Sequence, residues 1–95
     1  MLPPHFYVDW SADVERSFTE IWVSADTDLR RRLTDAADYL DQMLAITPME
    51  LGHPTESEPA LRTYVTIRFG KLVRVTFRVF AAEKSVLVVH LSIER

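Results

Sequence analysis

The chain of 95 residues has no cysteine, and its three histidines are well separated in the sequence. The lack of cysteine excludes disulfides, thiolate nucleophiles and cysteine-based zinc or iron–sulfur sites. No two histidines have the spacing of a metal-binding motif. We therefore expect neither a metal ion nor any other cofactor.

Long apolar runs are also missing, so no membrane-spanning helix is expected. The first residues, 1–6, lack the basic and apolar regions of a signal peptide. With 47% hydrophobic and 26% charged residues, the composition is that of an ordinary globular protein. These features predict a cytoplasmic protein that folds as a single domain over residues 1–95 and does not associate with a membrane.

Positive charge is scarce. Eleven Lys and Arg residues stand against 14 Asp and Glu, which gives a formal net charge of −3. This balance argues against a large nonspecific nucleic-acid-binding surface, although a local basic patch is compatible with it. The sequence also lacks a G-x-S-x-G motif and a glycine-rich phosphate loop, which disfavours hydrolase and nucleotide-binding classes.

Two hydrophobic periods divide the chain. Apolar residues recur with helical spacing after Ser11, and again after Asp26 or Thr27. These three residues are candidate N-caps of two helices. A period of two residues is typical of strands and occurs over residues 5–10 and three times after residue 60. The predicted fold is α+β, in the order β-α-α-β-β-β, with an antiparallel sheet and two helices packed on one face. The segment from Pro48 to Ala60 should be an exposed connection.

The alternation assigns each strand residue to one of two faces. The face predicted to be covered by the helices carries the aliphatic set: Val65, Ile67, Val73, Val75, Phe77, Val79, Leu87, Val89 and Leu91. The face predicted to be open carries the polar set: Arg62, Tyr64, Thr66, Arg68, Arg74, Thr76, Arg78, His90 and Ser92. Four arginines on one face would form a cationic patch suited to phosphate or carboxylate groups.

Alternative interpretations of this face remain open. Antiparallel sheets commonly solvate one face, and Arg and Thr there serve solubility. The acidic residues Glu50, Glu56 and Glu58 could also fold back and pair with the arginines. The exception on this face is Phe80, whose parity places it with the arginines, so we expect an exposed apolar strip there that contacts a partner or a second copy.

The first half of the chain contains an aromatic strand end and a helix stop in a particular order. Residues Val8–Ser11 form a strand that ends in an aromatic residue before a capped helix. The second helix closes with a Leu, Pro and Gly pattern, which is Leu44, Pro48 and Gly52.

The second half adds three further motifs. They are the pair Leu61-Arg62, the strand Arg74–Arg78 of the form arginine, aliphatic, any residue, aromatic, arginine, and a charged turn leading into the valine-rich strand Glu83–Val89. In this order and spacing, the chain resembles the RelE/ParE superfamily of toxins from bacterial type II toxin–antitoxin systems.

The resemblance implies a toxin that inhibits growth, stabilises plasmids and is neutralised by a cognate antitoxin. Some members of the superfamily cut messenger RNA on the ribosome, and others poison DNA gyrase. By resemblance, Arg74 and Arg78 are the first candidate catalytic residues, and His90 is the candidate that titrates near neutral pH. Arg62, Tyr64 and Arg68 are candidates for substrate binding.

Two departures from the family pattern keep the target open. Ribosome-dependent members are strongly basic, whereas this chain has two lysines, Lys71 and Lys84. Their terminal histidine, arginine and tyrosine are reduced here to Arg95. Three accounts remain: a gyrase-directed toxin, a divergent ribosome-dependent endoribonuclease, and a non-catalytic member that binds protein through the arginine-rich face. A homodimer is a further possibility.

Overall fold

The computed structural model describes residues 5–68 and 70–94. Within them, two helices and five strands follow one another along the chain: β1 (Tyr7–Trp10), α1 (Ala12–Ser24), α2 (Thr27–Ile46), β2 (His53–Pro54), β3 (Leu61–Arg68), β4 (Lys71–Phe80) and β5 (Ser85–Glu94). The strand alternation predicted at Phe69 and the motif remnant at Arg95 lie outside the described residues. No helix in the described part of the chain is long and apolar enough to cross a membrane.

The strands form one sheet in the order β1-β5-β4-β3-β2. Pairing is antiparallel except between β1 and β5, which are parallel, so the sheet is mixed. The α+β class is confirmed, and the structure adds the two-residue strand β2 to the predicted order. The parallel pairing of β1 with β5 is possible because both helices and three strands lie between them in the chain, and parallel strands require a long connection.

The sequence signals at the helix ends are observed. The Ser11 side chain accepts a hydrogen bond from the Val14 amide (3.3 Å), and that of Asp26 accepts one from the Leu29 amide (2.8 Å). Arg30 donates from Nε to the Trp22 carbonyl and from a terminal nitrogen to the Val23 carbonyl, both at 2.9 Å. Arg30 thus satisfies the last carbonyls of α1 and joins the two helices.

The hydrophobic core lies between the helices and one face of the sheet. Its buried members come from both helices, from β4, from β5 and from the segment after α2: Val14, Leu40, Leu44, Leu51, Val73, Val75, Phe77, Val79, Val86 and Val88. The 3.6-residue stripe of α2 and the alternation of β4 therefore fall where the sequence predicted.

The predicted facing of β3 is wrong. Tyr64 lies opposite the buried Val75, and Thr66 lies opposite the buried Val73, so these side chains point towards the helices. Val65 and Ile67, which were expected in the core, are 47% and 73% exposed. Tyr64 packs on the core, and its hydroxyl has a partner on α2, so an aromatic residue with a polar tip fills a place that the pattern gave to valine.

The first half of β5 also reverses the prediction. Phe77 pairs with Val88, and Thr76 pairs with His90, which leaves Val89 as an extra residue in a β-bulge. Val86 and Val88 are consequently buried in place of the predicted Leu87 and Val89. After the bulge, the rest of β5 presents its side chains to the faces that the sequence predicted.

The connection between α2 and β3 is more ordered than expected. Pro48 and Leu51 are buried, and β2 pairs with the start of β3. Gly52 has φ +67°, and a Cβ atom there would lie 2.1 Å from the carbonyl oxygen of Thr63. Only glycine allows the chain to pass this close to β3.

Candidate functional site: the open face of the sheet

The face of the sheet turned away from the helices is called here the open face. The register of the five strands assigns to it these residues: Tyr7, Asp9, His53, Leu61, Thr63, Val65, Ile67, Leu72, Arg74, Thr76, Arg78, Phe80, Ser85, Leu87, His90, Ser92 and Glu94. Directly opposed residues of neighbouring strands share a face, which makes the assignment geometric. The open face therefore mixes cationic, hydroxyl and apolar side chains.

A polar row crosses the middle of the open face. His53 pairs with Thr63, Thr63 with Thr76, and Thr76 with His90. The hydroxyl oxygens of Thr63 and Thr76 are 3.5 Å apart. Each end of the row thus carries an imidazole, and the two are separated by three strand spacings, or about 14 Å.

Arg74 is the accessible cation beside this row. It lies between Val65 and Ser92 on the neighbouring strands and is a diagonal neighbour of His90. Its side chain is exposed, and within residues 5–68 and 70–94 it forms no ion pair. The structure therefore brings two of the three predicted catalytic residues, Arg74 and His90, close together.

Arg78, the third predicted catalytic residue, is on the same face but already has a partner. Its two terminal nitrogens donate to the two carboxylate oxygens of Glu58, at 3.4 and 2.9 Å. This two-point geometry is the one that guanidinium and carboxylate groups prefer. One of the alternatives left open by the sequence, pairing of an arginine with the chain's own acidic loop, is observed here.

The three residues predicted to bind substrate do not lie on the open face. Arg62 donates to the carbonyls of Leu51 and Gly52 at 2.9 and 3.1 Å. The guanidinium of Arg68 stacks on the ring of Tyr39, with its carbon 4.0 Å from the ring centroid. The prediction that one face holds all four arginines is wrong, because β3 presents its even-numbered residues to the helices.

Tyr64 forms a second cluster on the helical side. Its hydroxyl is 3.0 Å from that of Tyr39 on α2. This hydrogen bond lowers the pKa of Tyr39, with a smaller contribution from Arg68, and raises the pKa of Tyr64. The pair of tyrosines connects α2 to the sheet. Because the pair lies on the opposite side of the sheet from Arg74, it and Arg74 cannot contact the same substrate.

A concave groove lies between α1 and α2, next to Trp10. The indole nitrogen of Trp10 donates to the carboxylate of Asp41 at 2.7 Å, and the ring of Phe18 meets that of Trp10 edge to face, with centroids 5.9 Å apart. Burial raises the pKa of Asp41 above its ordinary value of 3.8, against the effect of the indole hydrogen bond. The groove, with a volume of about 370 Å³, is lined by an acidic and aromatic surface.

The chemistry of the open face is more suited to binding than the sequence implied. Arg74 can hold an anion, and the imidazole of His90 lies beside it as a diagonal neighbour. Val65 lies opposite Arg74 and is 47% exposed, and Ile67, two residues further along β3, is 73% exposed. Phe80, at the far end of β4, is 38% exposed. Exposed apolar side chains beside a few polar groups are common on protein-binding surfaces.

Sequence reasoning missed four residues of this face. His53 was placed in a connection, and Val65, Ile67 and Leu87 were placed in the core. The position of Tyr64 was the available signal, because a tyrosine at the centre of a strand has enough apolar area to compete with valine for the buried face.

Comparison with solved structures agrees with this architecture. A chain in the crystal structure of the toxin–antitoxin complex RelBE2 from Mycobacterium tuberculosis matches with a TM-score of 0.70 and 17% sequence identity, over 100% of this chain and 95% of that chain. The chain thus has a RelE-like fold, which confirms the resemblance read from its sequence at the level of the fold. No family model and no curated protein matches the sequence.

Proposed function

We propose that this chain is the toxin of a type II toxin–antitoxin pair, acts in the cytoplasm, inhibits growth and so stabilises plasmids, and is neutralised by a cognate antitoxin. The observation that carries the proposal is the RelE-like fold over the whole chain. The order of motifs from Val8 to Val89 supports it independently.

We further propose that the target is a protein, with DNA gyrase as the first candidate, and that binding occurs through the open face. RNA is a polyanion, and a nuclease surface gathers cations to hold it. On the open face the accessible arginine is Arg74, since Arg78 is paired with Glu58, and the same face carries the carboxylates of Asp9 and Glu94. Exposed Val65 and Ile67 instead offer apolar contact.

Ribosome-dependent cleavage of messenger RNA is the second candidate, and the proximity of Arg74 and His90 favours it. Cleavage by the 2′-hydroxyl requires a base, an acid and stabilisation of charge on the phosphate. Arg74 supplies the last of these, and His90 can supply one proton transfer.

The two targets are separated by two assays on the purified protein. We expect inhibition of DNA supercoiling by gyrase, with a loss of inhibition in Arg74→Glu. We expect no change in messenger RNA incubated with ribosomes. Cleavage of messenger RNA together with unimpaired supercoiling would contradict the protein target and support the nuclease function instead.

A further inference from the structure

The groove between α1 and α2 is separate from the open face. It lies on the helical side of the sheet, because Trp10 lines it and alternates along β1 with the open-face residues Tyr7 and Asp9. Its volume of about 370 Å³ is at the lower end of the range for small-ligand sites. The groove can therefore hold a small group without disturbing the open face. Its lining consists of six residues: Trp10, Glu15, Phe18, Thr19, Ala37 and Asp41.

Helical spacing brings these residues together. Glu15, Phe18 and Thr19 are three and four residues apart and so share one side of α1. Ala37 and Asp41 are four residues apart and share one side of α2. The side chain of Ala37 ends at Cβ, which leaves space between the helices.

Two aromatic rings form a corner in this groove. The planes of Trp10 and Phe18 meet at 72°, with the ring centroids 5.9 Å apart. The faces of aromatic rings carry partial negative charge and attract cations. The hydrogen bond of 2.7 Å from the indole nitrogen to Asp41 fixes the Trp10 ring, so the corner is formed before any ligand arrives.

Both charged residues of the lining are acidic. Asp41 accepts the indole hydrogen bond through Oδ1, and within residues 5–68 and 70–94 its other carboxylate oxygen, Oδ2, accepts none. Glu15 is exposed, and neither acid forms an ion pair in the part of the chain that the structure describes. Burial and, to a smaller degree, the nearby carboxylate of Asp38 raise the pKa of Asp41. A cation in the groove would supply the missing counter-charge.

We propose that the groove binds an alkylammonium group, such as that of a lysine side chain or of a free aliphatic amine. The three N–H donors of the ammonium match Asp41 Oδ2, the carboxylate of Glu15 and the hydroxyl of Thr19. The methylene groups next to the nitrogen pack against the rings of Trp10 and Phe18, where the positive charge is attracted to the ring faces.

The same features argue against other occupants. An anion, including the phosphate of RNA, would be repelled by Glu15 and Asp41. A purely apolar group would cover Asp41 Oδ2 without giving it a hydrogen bond, which is unfavourable. A guanidinium prefers both oxygens of one carboxylate, and the indole of Trp10 already holds one of them. This inference is independent of the proposed function, because binding on the helical side can hold or fail without toxicity.

The test follows the two indole N–H signals of the full chain by NMR during titration with the butylammonium ion. The matched control is butanol, which has a similar size and no charge. We expect a saturable shift of the Trp10 signal at millimolar butylammonium, weakened by salt, and no saturable shift with butanol. Trp22 is the internal reference, because it does not line the groove and its ring is covered by Arg30.

Three variants identify the groups that hold the ammonium. Asp41→Asn keeps an oxygen for the Trp10 indole and removes the charge, so butylammonium should bind about tenfold more weakly or worse. Asp35→Asn makes the same charge change on α2 outside the lining and should alter binding less than about twofold. Phe18→Leu keeps an apolar side chain without a ring face and should weaken binding about threefold.

Two further probes distinguish the source of the ammonium group. Acetyl-lysine amide, acetylated on its α-nitrogen, carries the ammonium as a protein side chain does, and putrescine carries it as a free polyamine does. Tighter binding of the lysine derivative than of butylammonium indicates a partner protein, and tighter binding of putrescine indicates a free amine. Failure of all three amines to saturate the Trp10 shift overturns the proposal. Binding of butanol equal to that of butylammonium, or equal losses in Asp41→Asn and Asp35→Asn, also overturns it.

Discussion

Arg78 on the central strand of the sheet is held by Glu58 from the loop before β3, through two hydrogen bonds of 2.9 and 3.4 Å. Among the residues that the structure describes, Arg74 and Arg78 are the two arginines on the open face, and Glu58 binds the second of them. An acidic residue of the chain itself thus neutralises an arginine that a target molecule could otherwise contact.

Glu58→Gln should release Arg78 and strengthen growth inhibition. Both side chains are partly exposed, so the pair contributes at most about 1 kcal/mol to folding and its loss should leave the protein folded. The measurement is the inducer concentration that halves the growth rate, at equal protein level. Glu56→Gln, in the same loop and without an ion pair in the described structure, is the matched control, and an equal shift in both variants would argue against a specific role of Glu58.

Arg62→Ala should weaken folding without affecting the target. The variant leaves the carbonyls of Leu51 and Gly52 without their side-chain donor, which should cost about 1–3 kcal/mol of the free energy of unfolding. Urea unfolding followed by tryptophan fluorescence measures this loss. Because Arg62 faces the helices, the inhibition caused by each folded molecule should be unchanged, and a selective loss of inhibition would restore Arg62 to the target-binding surface.

Gly52→Ala should be far more damaging than Gly70→Ala. Both glycines have positive φ, +67° and +75°, so both variants carry backbone strain of about 1 kcal/mol or more. At Gly52 the new Cβ would also meet the Thr63 carbonyl at 2.1 Å, whereas at Gly70 the nearest atom is a terminal nitrogen of Arg32 at 3.4 Å. Thermal unfolding of the two variants should therefore differ clearly, and equal midpoints would contradict the close approach of β2 to β3.

Asp41 gives a pH dependence of a definite sign. Burial raises its pKa in the folded state above 3.8, so the folded chain binds this proton more tightly than the unfolded chain does. The Asp41 contribution is then most favourable below 3.8, and folding stability falls as pH rises through the raised pKa. Asp41→Asn keeps an oxygen for the Trp10 indole and removes the titration. Urea unfolding between pH 3 and 7 should show the variant gaining on the unmodified chain as pH rises, and a difference that does not change with pH would refute this assignment.

The sequence predicted the order of the elements because helix caps and hydrophobic periods are local signals. Ser11, Asp26 and the α2 stripe are read within a few residues, and all lie where expected. The facing of β3 could not be decided in this way. Both sets of residues in β3 include apolar groups, and Tyr64, on the helical side, meets the hydroxyl of Tyr39, which is 25 residues away in the sequence and outside any local pattern.

The bulge in β5 could not be predicted from the sequence either. It depends on how β4 and β5 register across the sheet, and a single extra residue at Val89 exchanges which valines are buried. The candidate site inherited the β3 error alone. Arg74, Arg78 and His90 were placed on the correct face because β4 is regular and His90 follows the bulge, whereas Arg62, Tyr64 and Arg68 were not.

The most direct measurement is bacterial growth during induced expression of the chain, of Arg74→Glu, and of Arg31→Glu as a control on the exposed surface of α2. We expect arrest by the unmodified chain and by Arg31→Glu, loss of arrest in Arg74→Glu at equal folded protein, and recovery when a cognate antitoxin is expressed with the chain. Normal growth with abundant, folded, unmodified protein would contradict the account.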